Sequence, residues 1–201
     1  MAEFLFHEDS HRYTLDGEVL PSVTQIISPL TALFYGGVDE DLLAARSELG
    51  RAVHADTWTD DQGELDDADV HPLVRPYLEA WRRFRRESGC TIAMGEHPLY
   101  HPALRYAGTC DRVLRWNNEG ALVDIKTVAR VVPTVHVQVA GGYESLLAAA
   151  GHDFNIRRRG ALQLRADGSY RWHETPLDEI HQHRAAFMGL LSTYRWKERF
   201  T

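Results

Sequence analysis

The chain has 201 residues, 44% of them hydrophobic and 25% charged, a mix that supports a soluble globular protein with a real core. No run of about 18 or more apolar residues occurs, which excludes a transmembrane helix. The formal net charge of -7 argues against a uniformly basic nucleic-acid binder, since phosphate contacts need Lys and Arg.

Charge distribution qualifies that exclusion. The acids crowd into Asp39-Glu40-Asp41 and the stretch from Asp56 to Asp69, and the bases into Arg82, Arg83, Arg85 and Arg86 and into Arg157-Arg158-Arg159. An acidic chain can still present a basic groove, although four arginines around one helix are mostly expected to be solvated. The opening Met1-Ala2-Glu3-Phe4 is not expected to be a secretory signal. Cys90 and Cys110 have no metal-ligand spacing and are expected as free thiols of a reducing, cytoplasmic compartment, in a bacterial or phage-infected cell.

In chain order, Phe4-Leu5-Phe6 and His11 to Leu15 predict short strands, with Asp16-Gly17 as a hairpin turn. Ser22 or Thr24 is expected to cap a short helix from Val23 to Leu30 that Pro29 stops. Asp39 to about Thr59 predicts a helix, capped by Asp39, with Leu42, Leu43, Leu49 and Val53 inward. Asp60 to His71 reads as an exposed acidic loop. Pro72 to Ser88 predicts a second helix burying Tyr77, Leu78, Trp81 and Phe84, ended by Gly89.

The pattern then turns to strands: Thr91 to His97, Tyr106 to Trp116, and Ala121 to Thr127 after the hairpin residues Asn117 to Gly120. Ala121 to Thr127 is apolar on both faces before its terminal charges, as a central strand should be. His136 to Ala150 predicts a helix, Phe154 to Arg165 and Tyr170 to Thr175 a hairpin around Asp167-Gly168, and Pro176 to about Lys197 a final helix. The class is α/β or α+β with a mixed sheet. The expected division is one domain over 1–201, with an N-terminal hairpin and short helix (1–30), helices (39–88), a sheet and helix carrying the site (91–175) and a C-terminal helix (176–201).

The chemistry-bearing run is Gly108-Thr109-Cys110-Asp111-Arg112-Val113, followed after a hairpin by Leu122-Val123-Asp124-Ile125-Lys126-Thr127. Asp124 and Lys126, two apart on a strand, point to one face. The hairpin can bring Asp111 beside Asp124. Two close carboxylates repel each other, and a hard divalent cation relieves that repulsion. The Ile125 carbonyl can add an oxygen ligand, and the Lys126 ammonium can stabilise charge developing on a phosphate.

These residues resemble the PD-(D/E)XK nuclease superfamily, in its RecB-like and phage-exonuclease branch, a group similar to the mitochondrial genome maintenance exonucleases. The resemblance lies in the ordered set Gly50-Arg51-Ala52-Val53-His54, Glu96, G-T-C-D ending at Asp111, V-D-I-K with Asp124 and Lys126, and Gln138 on a helix. The opening Tyr13 to Ile27 adds to it. It implies a restriction-endonuclease-like core, a central mixed sheet flanked by helices. It also implies a site of His54, Glu96, Asp111, Asp124, Lys126 and Gln138, with Mg²⁺ or Mn²⁺ held by His54, Asp111, Asp124 and the Ile125 carbonyl. The family's helix motif places Tyr four residues after Gln, whereas here Tyr143 follows Gln138 by five. On a regular α-helix that step rotates about 140° off the starting face, so the pair meets only if the helix bulges.

The expected function is a metal-dependent DNA exonuclease of recombination, repair or phage DNA processing, acting on single strands or free ends. Two alternatives stand beside it: an inactive nucleic-acid-binding module of the same fold, and an interaction protein whose stretch from Asp56 to Asp69 mimics DNA phosphate. Tyr100, Tyr106, Trp116 and Tyr143 can stack bases, although core packing is their ordinary role.

Overall fold

A computed structural model describes residues 2–35 and 40–200. The N-terminal unit holds three strands, β1 Phe4–His7, β2 Arg12–Leu15 and β3 Glu18–Leu20, paired antiparallel in that order. Asp16 and Gly17 form the expected tight turn, both with positive φ (52° and 80°), the geometry that suits right-twisted strands. The expected hairpin therefore gains a third strand after Gly17.

Ser22 begins helix α1, Val23–Tyr35. Its hydroxyl accepts the Gln25 N–H at 3.1 Å while the Gln25 side chain accepts the Ser22 N–H at 2.8 Å, a reciprocal capping box. Pro29 does not stop this helix, contrary to expectation. Proline removes one backbone hydrogen bond, but Val23, Ile26 and Ile27 are buried and Leu30 packs on the same core, so tertiary burial carries the helix through.

Helix α2, Glu40–Gln62, runs past the expected end at Thr59, and α3 spans Arg75–Ser88. Gly89 ends α3 in the left-handed conformation as expected, and Tyr77, Leu78, Trp81 and Phe84 are buried. The capping role expected of Asp39 and the inward side chains expected of Leu42 and Leu43 lie outside the described residues.

The start of the acidic stretch is not an exposed loop. Asp60 and Asp61 sit on the last turn of α2 and face the arginines of α3. Arg82 contacts Asp60 at 2.6 Å and Asp67 at 2.7 Å, and Arg85 contacts Asp61 at 2.7 Å. These three carboxylates are engaged, whereas Glu64, Asp66 and Asp69 are exposed on the expected loop.

The main sheet has the order β4-β5-β6-β7-β8: Thr91–His101, Tyr106–Trp116, Glu119–Lys126, Ile156–Leu164 and Tyr170–Glu174. β4 continues beyond the expected end at His97 and includes Pro98, which an edge strand tolerates. Asn117 and Asn118 alone make the β5–β6 turn, both with positive φ, and Glu119 and Gly120 already belong to β6. β6 is central, antiparallel to β5 and parallel to β7. The parallel step needs a long crossover, supplied by helix α4 at 134–149. Helix α5 is Ile180–Phe200.

The architecture is thus α+β, a mixed five-stranded sheet flanked by helices with a small three-stranded sheet attached. One core face packs Val23, Leu122, Leu146 and Phe187. The other packs Val53, Trp81, Phe84 and Ile125. No helix among the described residues is long and apolar enough to cross a membrane.

Candidate functional site

The site begins where two strands part. The β5–β6 ladder runs from Trp116 opposite Glu119 to Arg112 opposite Val123 and then ends. One step further, that register sets Asp111 across from Asp124, so both project from one face of the sheet. Asp111 Oδ2 accepts the Ile125 backbone N–H at 2.7 Å. Both carboxylates are buried.

Glu96 joins from the other side of β5. Gly95 pairs with Arg112 and His97 with Cys110, which puts Glu96 opposite Asp111. Glu96 has φ 42°, a left-handed conformation that costs energy in a non-glycine residue. From α2, His54 Nδ1 comes within 3.3 Å of Glu96 Oε1 and 3.7 Å of Asp111 Oδ1, and its Nε2 lies 3.1 Å from the Ile125 carbonyl oxygen. One ligand atom from each of His54, Glu96 and Asp111 lies within 4.8 Å of the other two, so these three could hold a metal ion.

Among the described residues that close group does not extend to Asp124. Lys126 Nζ stands 2.8 Å from Asp124 Oδ2, the neighbourhood that the two-residue spacing predicts.

The electrostatics are those of a site with too much negative charge in too little solvent. Burial raises the Asp111 carboxyl, and the neighbouring Asp124 and Glu96 add to the rise, so it titrates at about 7 despite the attraction of His54. Burial alone would lower His54, but Asp111 and Glu96 outweigh it and raise the imidazole to about 9. Burial would raise Glu96, yet His54 and Arg112 hold it below the ordinary carboxylate range.

The helix behind the site resolves the spacing of Gln138 and Tyr143. Residues Val137–Tyr143 are π-helical. Hydrogen bonds that reach five residues instead of four bring the pair together, and Gln138 Nε2 donates to the Tyr143 hydroxyl at 2.9 Å. Both side chains are buried. Burial, then the charges of Asp124 and Asp111, push the Tyr143 phenol well above its usual range, so it stays protonated.

The Gly108-Thr109 step has a packing cause. A Cβ on Gly108 would stand 2.9 Å from Tyr143 Cε1 and 3.1 Å from Val23 Cγ2. The Thr109 hydroxyl meets the Tyr13 hydroxyl at 2.8 Å, which docks the small sheet beside the site.

The aromatics expected as stacking candidates serve packing. Tyr106 and Tyr143 are buried, Tyr100 lies on Phe4, and Trp116 contacts Phe84 and Trp172. Arg158 pairs with Glu174 at 3.0 Å and Arg159 with Glu144 at 2.9 Å, while Arg157 is exposed.

Residues without a role in the sequence reading stand out here. Arg112 is fully buried and contacts Asp61 and Glu96, each at 2.7 Å. A charge between Cys110 and Val113-Leu114 on a strand interior was the available signal.

No family model matches the chain, and no curated protein matches it. Several solved structures resemble it distantly, among them the following two. LHK-Exo in complex with dAMP is 14% identical, covering 90% of this chain and 92% of its own, with a TM-score of 0.39. An alkaline exonuclease (LHK-Exo) from Laribacter hongkongensis is 15% identical, covering 80% of this chain and 97% of its own, with a TM-score of 0.37.

Proposed function

We propose that this protein is a divalent-metal-dependent deoxyribonuclease. The observation that carries this reading is the convergence of His54, Glu96 and Asp111 within 4.8 Å, next to the Asp124–Lys126 pair. The donor set fits a cation: burial together with Asp124 and Glu96 raises the Asp111 carboxyl to about 7, and a divalent ion removes that penalty.

His54, Glu96 and Asp111, the three that converge, would hold the ion, with Asp124 and the Ile125 carbonyl completing the expected set. One nitrogen among oxygens suits Mn²⁺ as well as Mg²⁺. When bound, such an ion supplies Lewis-acid polarisation of a phosphoryl oxygen and a water acidic enough to act as a nucleophile. Lys126, held by Asp124, would stabilise charge developing on the phosphate. Gln138 would act only through Tyr143, keeping the phenol in place behind the two aspartates.

The substrate in this reading is DNA, single-stranded or with free ends, and the action is exonucleolytic, in recombination, repair or phage DNA processing. The test is digestion of end-labelled linear and closed circular DNA with Mg²⁺, Mn²⁺ or a chelator, comparing the natural protein with Asp124→Ala. Metal-dependent release of nucleotides from linear DNA, absent in the variant, is expected. Binding without cleavage in both proteins overturns the enzyme, and equal cutting of circles overturns the exonuclease.

A further inference from the structure

Arg112 is more heavily engaged than a strand residue needs to be. Its Nε donates to Asp61 Oδ2 at 2.7 Å. Its Nη1 donates to Glu96 Oε1 at 2.7 Å and to the Asp111 carbonyl at 2.6 Å, and its Nη2 to Thr57 Oγ1 at 3.2 Å. The guanidinium carbon lies 5.0 Å from the Trp58 ring and 5.6 Å from the Trp81 ring. Buried ion pairs of this kind are often no more stable than apolar residues of equal volume, so stability alone is a poor reason for the network.

Its partners share an orientation. His54, Thr57, Trp58 and Asp61 follow one another at helical spacing and line one face of α2. Arg112 therefore grips the face that carries His54. Space is made for the grip at Gly95, where a Cβ would stand 2.4 Å from Trp58 Cζ3 and 2.9 Å from Arg112 Cδ. The next residue is Glu96, held in its left-handed conformation, and one oxygen, Oε1, serves both Arg112 Nη1 and His54 Nδ1.

We propose that Arg112 is a positioning residue for the metal centre, fixing Glu96 and, through the oxygen that Glu96 shares with it, His54, before a cation arrives. The inference rests on the metal-centre reading above. Without Arg112, Glu96 loses the contact that offsets its strained backbone, and the ligand atoms must be gathered at the expense of binding.

The test is Mn²⁺ titration calorimetry on four proteins: the natural chain, Arg112→Met, Glu96→Ala, which removes the oxygen that Arg112 holds, and the double variant. Asp61 keeps the Trp81 indole N–H at 2.9 Å and Arg85 at 2.7 Å, so Arg112→Met is expected to fold, as circular dichroism and melting in chelator will check. If it does not fold, Arg112→Lys takes its place in the same cycle. Arg112→Met is expected to weaken Mn²⁺ binding about 10- to 100-fold, the range for residues that orient ligands, and to lose most of that effect in the Glu96→Ala background. An equal loss in both backgrounds, or natural affinity in the single variant, overturns the inference and leaves the metal centre standing. Absence of Mn²⁺ binding by the natural chain overturns both.

Discussion

Asp111 and Ile125 are joined by a hydrogen bond that no regular ladder contains: a side-chain oxygen takes a backbone N–H at 2.7 Å, one step beyond the last β5–β6 pair. The carboxylate thus closes the sheet where the strands separate and faces His54 with its other oxygen. Asp111→Asn keeps an acceptor for that N–H, and Asp111→Ala leaves it buried and unpaired. Both variants are expected to lose metal-dependent cleavage, with Asp111→Ala less stable than Asp111→Asn by about 1–3 kcal/mol. Urea unfolding in chelator measures the gap, and equal stabilities would contradict the structural role.

The metal-free protein is expected to lose stability as pH rises. His54 holds its proton to about 9 when folded and to about 6.5 when unfolded, so its contribution is complete below 6.5 and lost through 9. Asp111 titrates at about 7 against a normal 3.8, so the folded state again carries the extra proton and stability falls between those values. The slope approaches about 1.4 kcal/mol per pH unit for each proton held in excess. Added Mn²⁺ displaces those protons, so its stabilising effect should grow with pH. Melting curves at pH 6.5 and 9, with and without Mn²⁺, are the measurement. A melting temperature in chelator that does not fall would count against it.

Lys126→Met should separate binding from turnover. Its ammonium lies beside Asp124 and repels a cation, so Mn²⁺ affinity should not fall. Turnover should drop by about 10²–10³, the usual loss when one stabilising donor is removed. Calorimetry and single-turnover digestion read the two quantities separately, and a parallel loss of both would assign Lys126 to the binding site instead.

Tyr143→Phe leaves the Gln138 amide buried without its acceptor. A loss of about 1–3 kcal/mol is expected, with much of it recovered when Gln138→Leu is added, because removing both partners costs less than stranding one. Urea denaturation of the two singles and the double decides it, and additive losses would deny the pairing.

Two glycines should respond in opposite senses to alanine. At Gly141 a Cβ would stand 2.5 Å from Phe187 Cβ and 2.9 Å from the His183 carbonyl oxygen. Overpacking there is expected to cost about 1–3 kcal/mol. Gly189, on α5, has nothing within 4 Å of such a Cβ, and alanine there should stabilise by about 0.4–1 kcal/mol. Thermal melts of both variants give the signs.

Elements with local causes were legible from the sequence. Asp16-Gly17, the Gly89 cap, the apolar β6 and the side shared by Asp124 and Lys126 all follow from neighbouring residues. The misses depended on distant partners. Asp61 reads as loop because its burial is set by Arg112 and Trp81, which lie elsewhere in the sequence. Pro29 reads as a stop because the core that carries α1 through it comes from other elements. Glu96 was found by resemblance, but neither its left-handed backbone nor its sharing between His54 and Arg112 leaves a mark on the residues beside it.

The π-helical turn bears on how such chains are searched for. A pattern written with three residues between glutamine and tyrosine passes over this sequence, although the two side chains touch. Counting residues is a proxy for counting ångströms, and one extra residue absorbed inside a helix breaks the proxy while leaving the contact intact. Patterns that let this gap vary by one would retrieve chains that rigid ones discard.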